Sequence, residues 1–268
     1  MPLIPFTLDP LNVSVSNEVK SPLMVCSHER SGTHFLMNSL SSCTSYTNKP
    51  FLNYDYINLG SAINFYSEKS IFSFIQNCSN ISINSDLYYV NSIIKSHFPL
   101  PLIGKDSINI LKISYVYRNP VDVFISFWKF LHKLDWFEGP KINCPLELMK
   151  YTPCGQSQRY QIQNYHTYFS RWANHVSSAY LASQKHKNII CINYSDLLNN
   201  HSNSIKDLCN KHSLKIIKEP KIPNKNNYVE GDGSLNISED IRVEMKEYCR
   251  NEIQKYKYLP RDLISDFE

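Results

Sequence analysis

Residues 23–37 read Leu23-Met24-Val25-Cys26-Ser27-His28-Glu29-Arg30-Ser31-Gly32-Thr33-His34-Phe35-Leu36-Met37: an apolar run, a polar loop holding one glycine, and a second apolar start. Leu23–Cys26 is short and apolar throughout, which fits a buried strand. The run opening at Phe35 fits the start of a helix. A strand, a loop and a helix start in that order aim backbone N–H groups at an anion. Gly32 lets the chain approach such an anion closely, Ser31 and Thr33 add hydroxyls, and Arg30 adds a fixed charge with several donors. The nucleotide signature G-x-x-x-x-G-K-[ST] is absent. Taken alone, the stretch also reads as an ordinary strand, turn and helix.

Working outward, similar apolar runs predict buried strands at Ser92–Lys95, Ile110–Tyr117 and Ile189–Asn193. Helical periodicity spans Val121–Leu134, Tyr160–Lys185 and Glu239–Tyr256, the last introduced by Ser238 as N-cap. Buried strands alternating with helices imply an α/β fold with a central parallel β-sheet flanked by helices on both faces. The stretches 41–86, 135–158 and 217–235 are less regular and read as long loops or lids around an acceptor site, the first carrying Tyr46, Phe51, Tyr54, Tyr56, Phe65 and Tyr66. Residues 1–20 read as an N-terminal extension.

With 268 residues, 42% of them hydrophobic and 19% charged, the chain is expected to form a single domain over 1–268. A net charge of +4 with no dense basic run argues against a nucleic-acid binder and suits a small polyanion. The eight cysteines include no C-x-x-C pair, which fits neither a zinc cage nor a disulfide scaffold and leaves reduced thiols as the default. No basic-then-apolar leader opens the chain and no window reaches membrane-spanning length, so a cytoplasmic location without a membrane span is expected. No metal is expected, because His-Glu-x-x-His and Cys/His ligand spacings are missing.

A second anion element follows the run ending at Tyr117: Arg118-Asn119-Pro120-Val121-Asp122-Val123-Phe124-Ile125-Ser126. Asn119 as N-cap, Pro120 at the first helical position and Asp122 in the first turn are explained by helix-start chemistry. Arg118 is not. A guanidinium closing a buried strand needs a phosphate, which Ser126 two turns on could share, or an internal carboxylate. Between the two elements, an apolar run enters Lys95-Ser96-His97-Phe98-Pro99.

The Arg30–Phe35 loop and Arg118–Ser126, in that order, resemble the 5'-phosphosulfate and 3'-phosphate motifs of the cytosolic-type sulfotransferases that use 3'-phosphoadenosine-5'-phosphosulfate (PAPS). The resemblance implies that family's P-loop-like fold, Arg30 in place of the usual Lys beside the bridging oxygen, and Arg118 with Ser126 on the 3'-phosphate. Lys95–Pro99 is similar to the family's Lys-Thr-His-Leu-Pro, implying His97 as general base and Lys95 on the sulfuryl group in flight. Phe35 falls where the family usually has Trp stacked on adenine, and Ile192-Asn193-Tyr194-Ser195-Asp196-Leu197 resembles its Tyr-Glu-Asp stretch, implying Tyr194 on the other face of the base. His34 replaces the family's second Thr and can offer an imidazole N–H to phosphate. Asn226-Asn227-Tyr228 is similar to the family's Thr-Asn-Tyr. The family's Arg-Lys-Gly has no counterpart: the region reads Val229-Glu230-Gly231-Asp232-Gly233, which leaves Lys218, Lys221 or Lys225 to supply the missing cation.

What the resemblance implies for activity is in-line sulfuryl transfer from PAPS, as co-substrate, to a hydroxyl of a small-molecule acceptor, with amines also open, by a monomer or homodimer. Two other readings stand beside it. A nucleotide-dependent phosphotransferase would need a Mg²⁺-binding Ser/Thr after a loop Lys and an acidic strand end, and neither is present. A nucleotide-binding relative without activity would not need Lys95 and His97.

Overall fold

Every residue of Leu23–Ser27 is buried, because helices cover that strand on both faces. The computed structural model describes residues 20–53, 80–83, 86–89, 91–103, 105–133, 139, 141–223 and 233–268. In chain order these form β1 (Leu23–Ser27), α1 (Thr33–Cys43), β2 (Thr47–Asn53), β3 (Asn80–Ile83), β4 (Asp86–Tyr89) and β5 (Ser92–Ser96). A 3₁₀ turn at Leu100–Leu102 leads to α2 (Lys105–Ile110), β6 (Lys112–Tyr117), α3 (Pro120–Lys133) and α4 (Pro145–Lys150). A second 3₁₀ segment, Gly155–Tyr160, precedes α5 (Tyr168–Lys185), β7 (Ile189–Asn193), α6 (Tyr194–Asn199), α7 (His201–Lys211), α8 (Glu239–Ile253) and α9 (Arg261–Ser265).

Five strands make one sheet in the order β2-β5-β1-β6-β7, and every pairing in it is parallel. Strand alternation sorts the core into two layers. Leu23, Val25 and Ile93 face α1 and α7, while Met24, Cys26 and Ile94 face α3, α5 and α8. The chain leaves β1 for the β2 edge, returns through β5 and then crosses over to β6, so the direction of winding reverses at β1. In open α/β sheets, ligands bind beyond the carboxyl ends of the strands at such a reversal. β3 and β4 form a separate antiparallel pair.

The single-domain α/β architecture with a central parallel sheet is as the sequence predicts, but several boundaries differ. Ile110 ends α2 and does not open the strand, because the Asn188 amide donates to the carbonyls of Ile108 and Leu111 and closes that turn before β6 starts at Lys112. The helix expected from Tyr160 begins at Tyr168: Thr167 Oγ1 accepts from Ser170 N at 3.0 Å and Ser170 Oγ from Thr167 N at 3.2 Å, a capping box. The helix expected over Glu239–Tyr256 stops at Ile253, with Ser238 capping its start as read. Of the supposed loop 41–86, Thr47–Asn53 joins the sheet as its edge strand, and of 135–158, α4 and a 3₁₀ segment take part. Pro50 disguised that strand, since proline is tolerated only where no ladder hydrogen bond is needed. Tyr54, Tyr56, Phe65, Tyr66, Lys225 and the Asn226–Gly231 stretch lie outside the described residues. No helix among the described residues is long and apolar enough to cross a membrane, and the described cysteines form no disulfide with one another.

Candidate active site

Beyond Ser27 the backbone bends into conformations that few L residues adopt: Arg30 has φ 64° and Gly32 φ 110°. At Arg30, which carries a Cβ, such strain costs about 1–3 kcal/mol and persists where the surroundings impose it, whereas Gly32 adopts its angle freely. Leu36 N donates to Gly32 O at 3.1 Å, so the loop passes straight into α1, whose N-cap, Gly32, has no side chain to satisfy the first N–H groups. Those donors and the positive end of the helix dipole suit an anion. A Cβ on Gly32 would meet Tyr194 Cδ2 at 2.3 Å, so the close approach here is an aromatic ring.

The loop hydroxyls divide. Ser27 Oγ donates to His28 O at 2.8 Å, which makes Thr33 Oγ1 the donor in its 2.6 Å bond to Ser27. Thr33 therefore braces the loop. Ser31 Oγ is buried and has no hydrogen-bond partner among the described residues, a state that costs about 1–3 kcal/mol until an acceptor arrives.

Arg30 and Ser126, read as belonging to opposite ends of a ligand, meet directly: Arg30 Nε donates to Ser126 Oγ at 3.0 Å and its guanidinium lies 4.9 Å above the Phe130 ring. Because an N–H can only donate, Ser126 keeps its own proton to give. Burial, followed by repulsion from Arg118, lowers the Arg30 pKa to about 10. His34 is lowered to about 4 by burial, Lys95 and Arg30, so it is a neutral donor at physiological pH. Arg118 stacks 4.7 Å from the Tyr194 ring and reaches Asp122 at 3.6 Å. Asp122 is the carboxylate that the structural reading of Arg118 asked for, yet it is half exposed, and such pairs are worth about 0–1 kcal/mol. Arg118 Nε is buried without a partner among the described residues. Like-charged guanidiniums, an orphaned N–H and an orphaned hydroxyl are what an anionic ligand would satisfy.

Phe35 and Tyr194 meet edge to face, with centroids 5.7 Å apart and planes at 77°, and so do not stand as parallel plates. Asn193 Oδ1 caps α6 by accepting from Ser195 N at 2.9 Å, which holds Tyr194 at the carboxyl end of β7. Lys218 N bonds to Cys43 O at the far end of α1, 11 residues or about 15 Å of helix from the loop. That geometry takes the Lys218 backbone away from Arg118.

Lys95 and His97 leave the carboxyl end of β5, the direct neighbour of β1, with Val25 opposite Lys95. His97 Nδ1 lies 2.9 Å from Ser27 O. A carbonyl only accepts, so Nδ1 carries the proton and the basic lone pair sits on Nε2. Burial, then the Lys95 charge, depresses the His97 pKa well below 6.5, while the bond to Ser27 opposes them. The imidazole is neutral, as a proton acceptor must be.

Residues 20–259 match the sequence profile of the sulfotransferase domain. The chain belongs to the sulfotransferase family. No curated protein matches it by sequence. Solved sulfotransferase-fold structures do resemble it: retinol dehydratase with retinol and PAP aligns over 90% of this chain and 83% of that one, at 14% identity and TM-score 0.53. The same protein with androsterone and PAP gives 13% identity and TM-score 0.54 over the same shares. A sulfotransferase from Alicyclobacillus acidocaldarius gives 13% and 0.50 over 92% of this chain and 97% of that one. At such identities the likeness is one of fold.

In this sulfotransferase, the sequence-read residues Arg30, Ser31, Gly32, Thr33, His34, Phe35, Lys95, His97, Arg118, Ser126 and Tyr194 all gather at or beside the carboxyl ends of β1, β5, β6 and β7. Sequence reasoning missed the layer beneath them. Arg171, 1% exposed, donates from Nη1 to His28 Nε2 at 2.8 Å and from Nη2 to Glu29 Oε1 at 2.5 Å. His28 is neutral, its pKa lowered by burial and by Arg171, and its Nδ1 donates to Glu29 O, so its 3.5 Å approach to Glu29 Oε2 is no ion pair. One signal was available: Arg171 and His175 stand one turn apart among Trp172, Ala173 and Val176, on a face that should be apolar.

Proposed function

We propose that the chain transfers the sulfuryl group of PAPS to a hydroxyl of an apolar small-molecule acceptor, with His97 as general base. The observation that carries this reading is the His97 Nδ1 bond to Ser27 O, which ties a neutral imidazole to the end of β1, where the anion loop starts, and leaves Nε2 as its basic nitrogen. The acceptor O–H proton passes to His97 Nε2 while the acceptor oxygen bonds to sulfur. The bond from sulfur to the 5'-phosphate oxygen breaks, and its electron pair leaves with PAP. The N-terminus of α1, Ser31 and Arg30 are suited to the charge that grows on that oxygen. Lys95, 7% exposed and close enough to depress both His34 and His97, suits the sulfuryl oxygens. Arg118 and Ser126 would hold the 3'-phosphate, and Tyr194 with Phe35 would border the adenine.

For the acceptor, two of the fold relatives are structures with retinol or androsterone, both apolar alcohols. Here Tyr160 lies with its ring 6.0 Å from that of His97 and 5.5 Å from that of Phe98, an aromatic wall beside the base. The test is paired. Calorimetry should show PAP binding by both the wild type and His97→Ala, while sulfate transfer from labelled PAPS to a panel of apolar alcohols falls by about 10²–10⁴-fold in the variant. Turnover surviving in His97→Ala removes the base; absence of PAP binding to the wild type removes the donor.

A further inference from the structure

Helix α5 buries two basic residues one turn apart, Arg171 and His175, 1% and 2% exposed. Burying such groups costs several kcal/mol unless each has a defined partner, about 2–7 kcal/mol for an unbonded polar group. Both sets of partners lie at the reacting end of the sheet. Arg171 holds His28 and Glu29 of the anion loop, which fixes α5 against the end of β1. His175 Nε2 lies 2.9 Å from the backbone oxygen of His97, and Tyr115 Oη lies 2.6 Å from His175 Nδ1.

These contacts assign every proton. The His97 carbonyl only accepts, so His175 Nε2 bears hydrogen and Nδ1 is the acceptor. Burial raises the Tyr115 pKa well above 10, so its phenol is protonated and donates to Nδ1. Burial, then His28, pushes the His175 pKa down to about 3, so the ring is neutral. His97 is thereby gripped twice: its ring by the Ser27 carbonyl and its backbone by His175.

We infer that His175 is a positioning residue for His97, holding the base in one orientation relative to the anion loop that α5 also clamps through Arg171. His175 touches no reacting atom in the proposed transfer. The inference rests on His97 acting as the base.

Two amide variants separate positioning from mere filling of space. The side-chain amide of His175→Gln extends to the place of Nε2 and keeps a donor for the His97 carbonyl. That of His175→Asn ends near Nδ1, so it keeps the Tyr115 bond and loses the one to His97. A displacement of the base of about 1 Å can lower turnover about 10²-fold. We therefore expect kcat to fall by about that factor in His175→Asn and to stay within about threefold of wild type in His175→Gln, with PAP affinity unchanged in both. Equal losses in the two variants, or a loss confined to PAP binding, overturn the inference. If neither variant folds, ¹⁵N-edited NMR of the wild-type rings decides it: His175 should be the Nε2–H tautomer and His97 the Nδ1–H tautomer, and the reverse at either ring overturns it. Turnover retained by His97→Ala would remove the base itself, whereas Asn matching Gln with His97→Ala inactive removes only the role of His175.

Discussion

Gly32 shows how tightly single residues are specified at the anion loop. Its φ of 110° is one that L side chains rarely adopt and only under strain, and the Tyr194 ring fills the place where a Cβ would stand. Gly32→Ala should therefore cost about 2 kcal/mol or more of stability, from a left-handed backbone and from overpacking together. Thermal melting reads that loss, and PAP affinity should fall with it, since Tyr194 must tilt away from Arg118. An unchanged melting temperature would mean that the loop relaxes without effort. The sequence marked Gly32 as the place where chain and phosphate meet. It could not show that a residue 162 positions later closes over the loop, because only the crossing from β6 to β7 brings Tyr194 there. The hydroxyls tell the same story: Ser31 and Thr33 look alike in the motif, yet the neighbour Ser27 engages one and leaves the other without a partner among the described residues.

At the scale of elements, the short helix α9 does more than end the chain. Asp262 Oδ2 accepts from Tyr117 Oη and from Asn193 Nδ2, both at 2.7 Å, and so ties the last residues of β6 and β7 together one step before Arg118 and Tyr194. Asp266 Oδ2 accepts from Asn119 Nδ2 at 3.0 Å. Leu263 and Phe267 anchor the helix in the core. Residues 261–268 lie beyond the stretch matching the sulfotransferase domain, yet they brace the ends of β6 and β7 within it. Asp262→Ala should lose about 1 kcal/mol of stability, because the residue is exposed, and should weaken PAP more than adenosine 5'-phosphate. Equal weakening of the two ligands would confine α9 to a packing role. Strands β1 and β5 were legible as apolar runs, since burial on both faces leaves no alternation to misread, and the half-buried edge strand β7 was legible from its three isoleucines. Edge strand β2 was not: it contains Pro50 and pairs with β5 in broken register.

Across the whole molecule, five histidines are held neutral by burial. His28 and His97 are pushed well below 6.5, His175 to about 3, and His34 and His212 to about 4, with burial as the first cause of each. Above 6.5 these rings are neutral in folded and unfolded chains alike, and stability is independent of them. As pH falls from 6.5 the unfolded chain binds protons that the folded chain cannot, so stability drops by about 1.4 kcal/mol per pH unit for each of the fully buried rings His28, His97 and His175. The melting temperature should decline steeply between pH 6.5 and pH 5, and a flat profile there would contradict neutral burial. With His97 as the proposed base, transfer should keep full activity down to a lower pH than an ordinary histidine permits, because burial and the Lys95 charge lower the His97 pKa. By itself, the sequence determined the buried strands, the anion loop after β1 and the order Arg30, Lys95, His97, Arg118 and Tyr194 along the chain, since these rest on local pattern and neighbouring residue types. The tertiary structure alone decided which nitrogen of His97 is basic, that Arg30 bonds to Ser126, and that Arg171 bonds to His28 and Glu29 and His175 to the His97 carbonyl. Those outcomes depend on hydrogen bonds between residues 70 to 143 positions apart, and no local pattern encodes which carbonyl a folded chain will set against which ring.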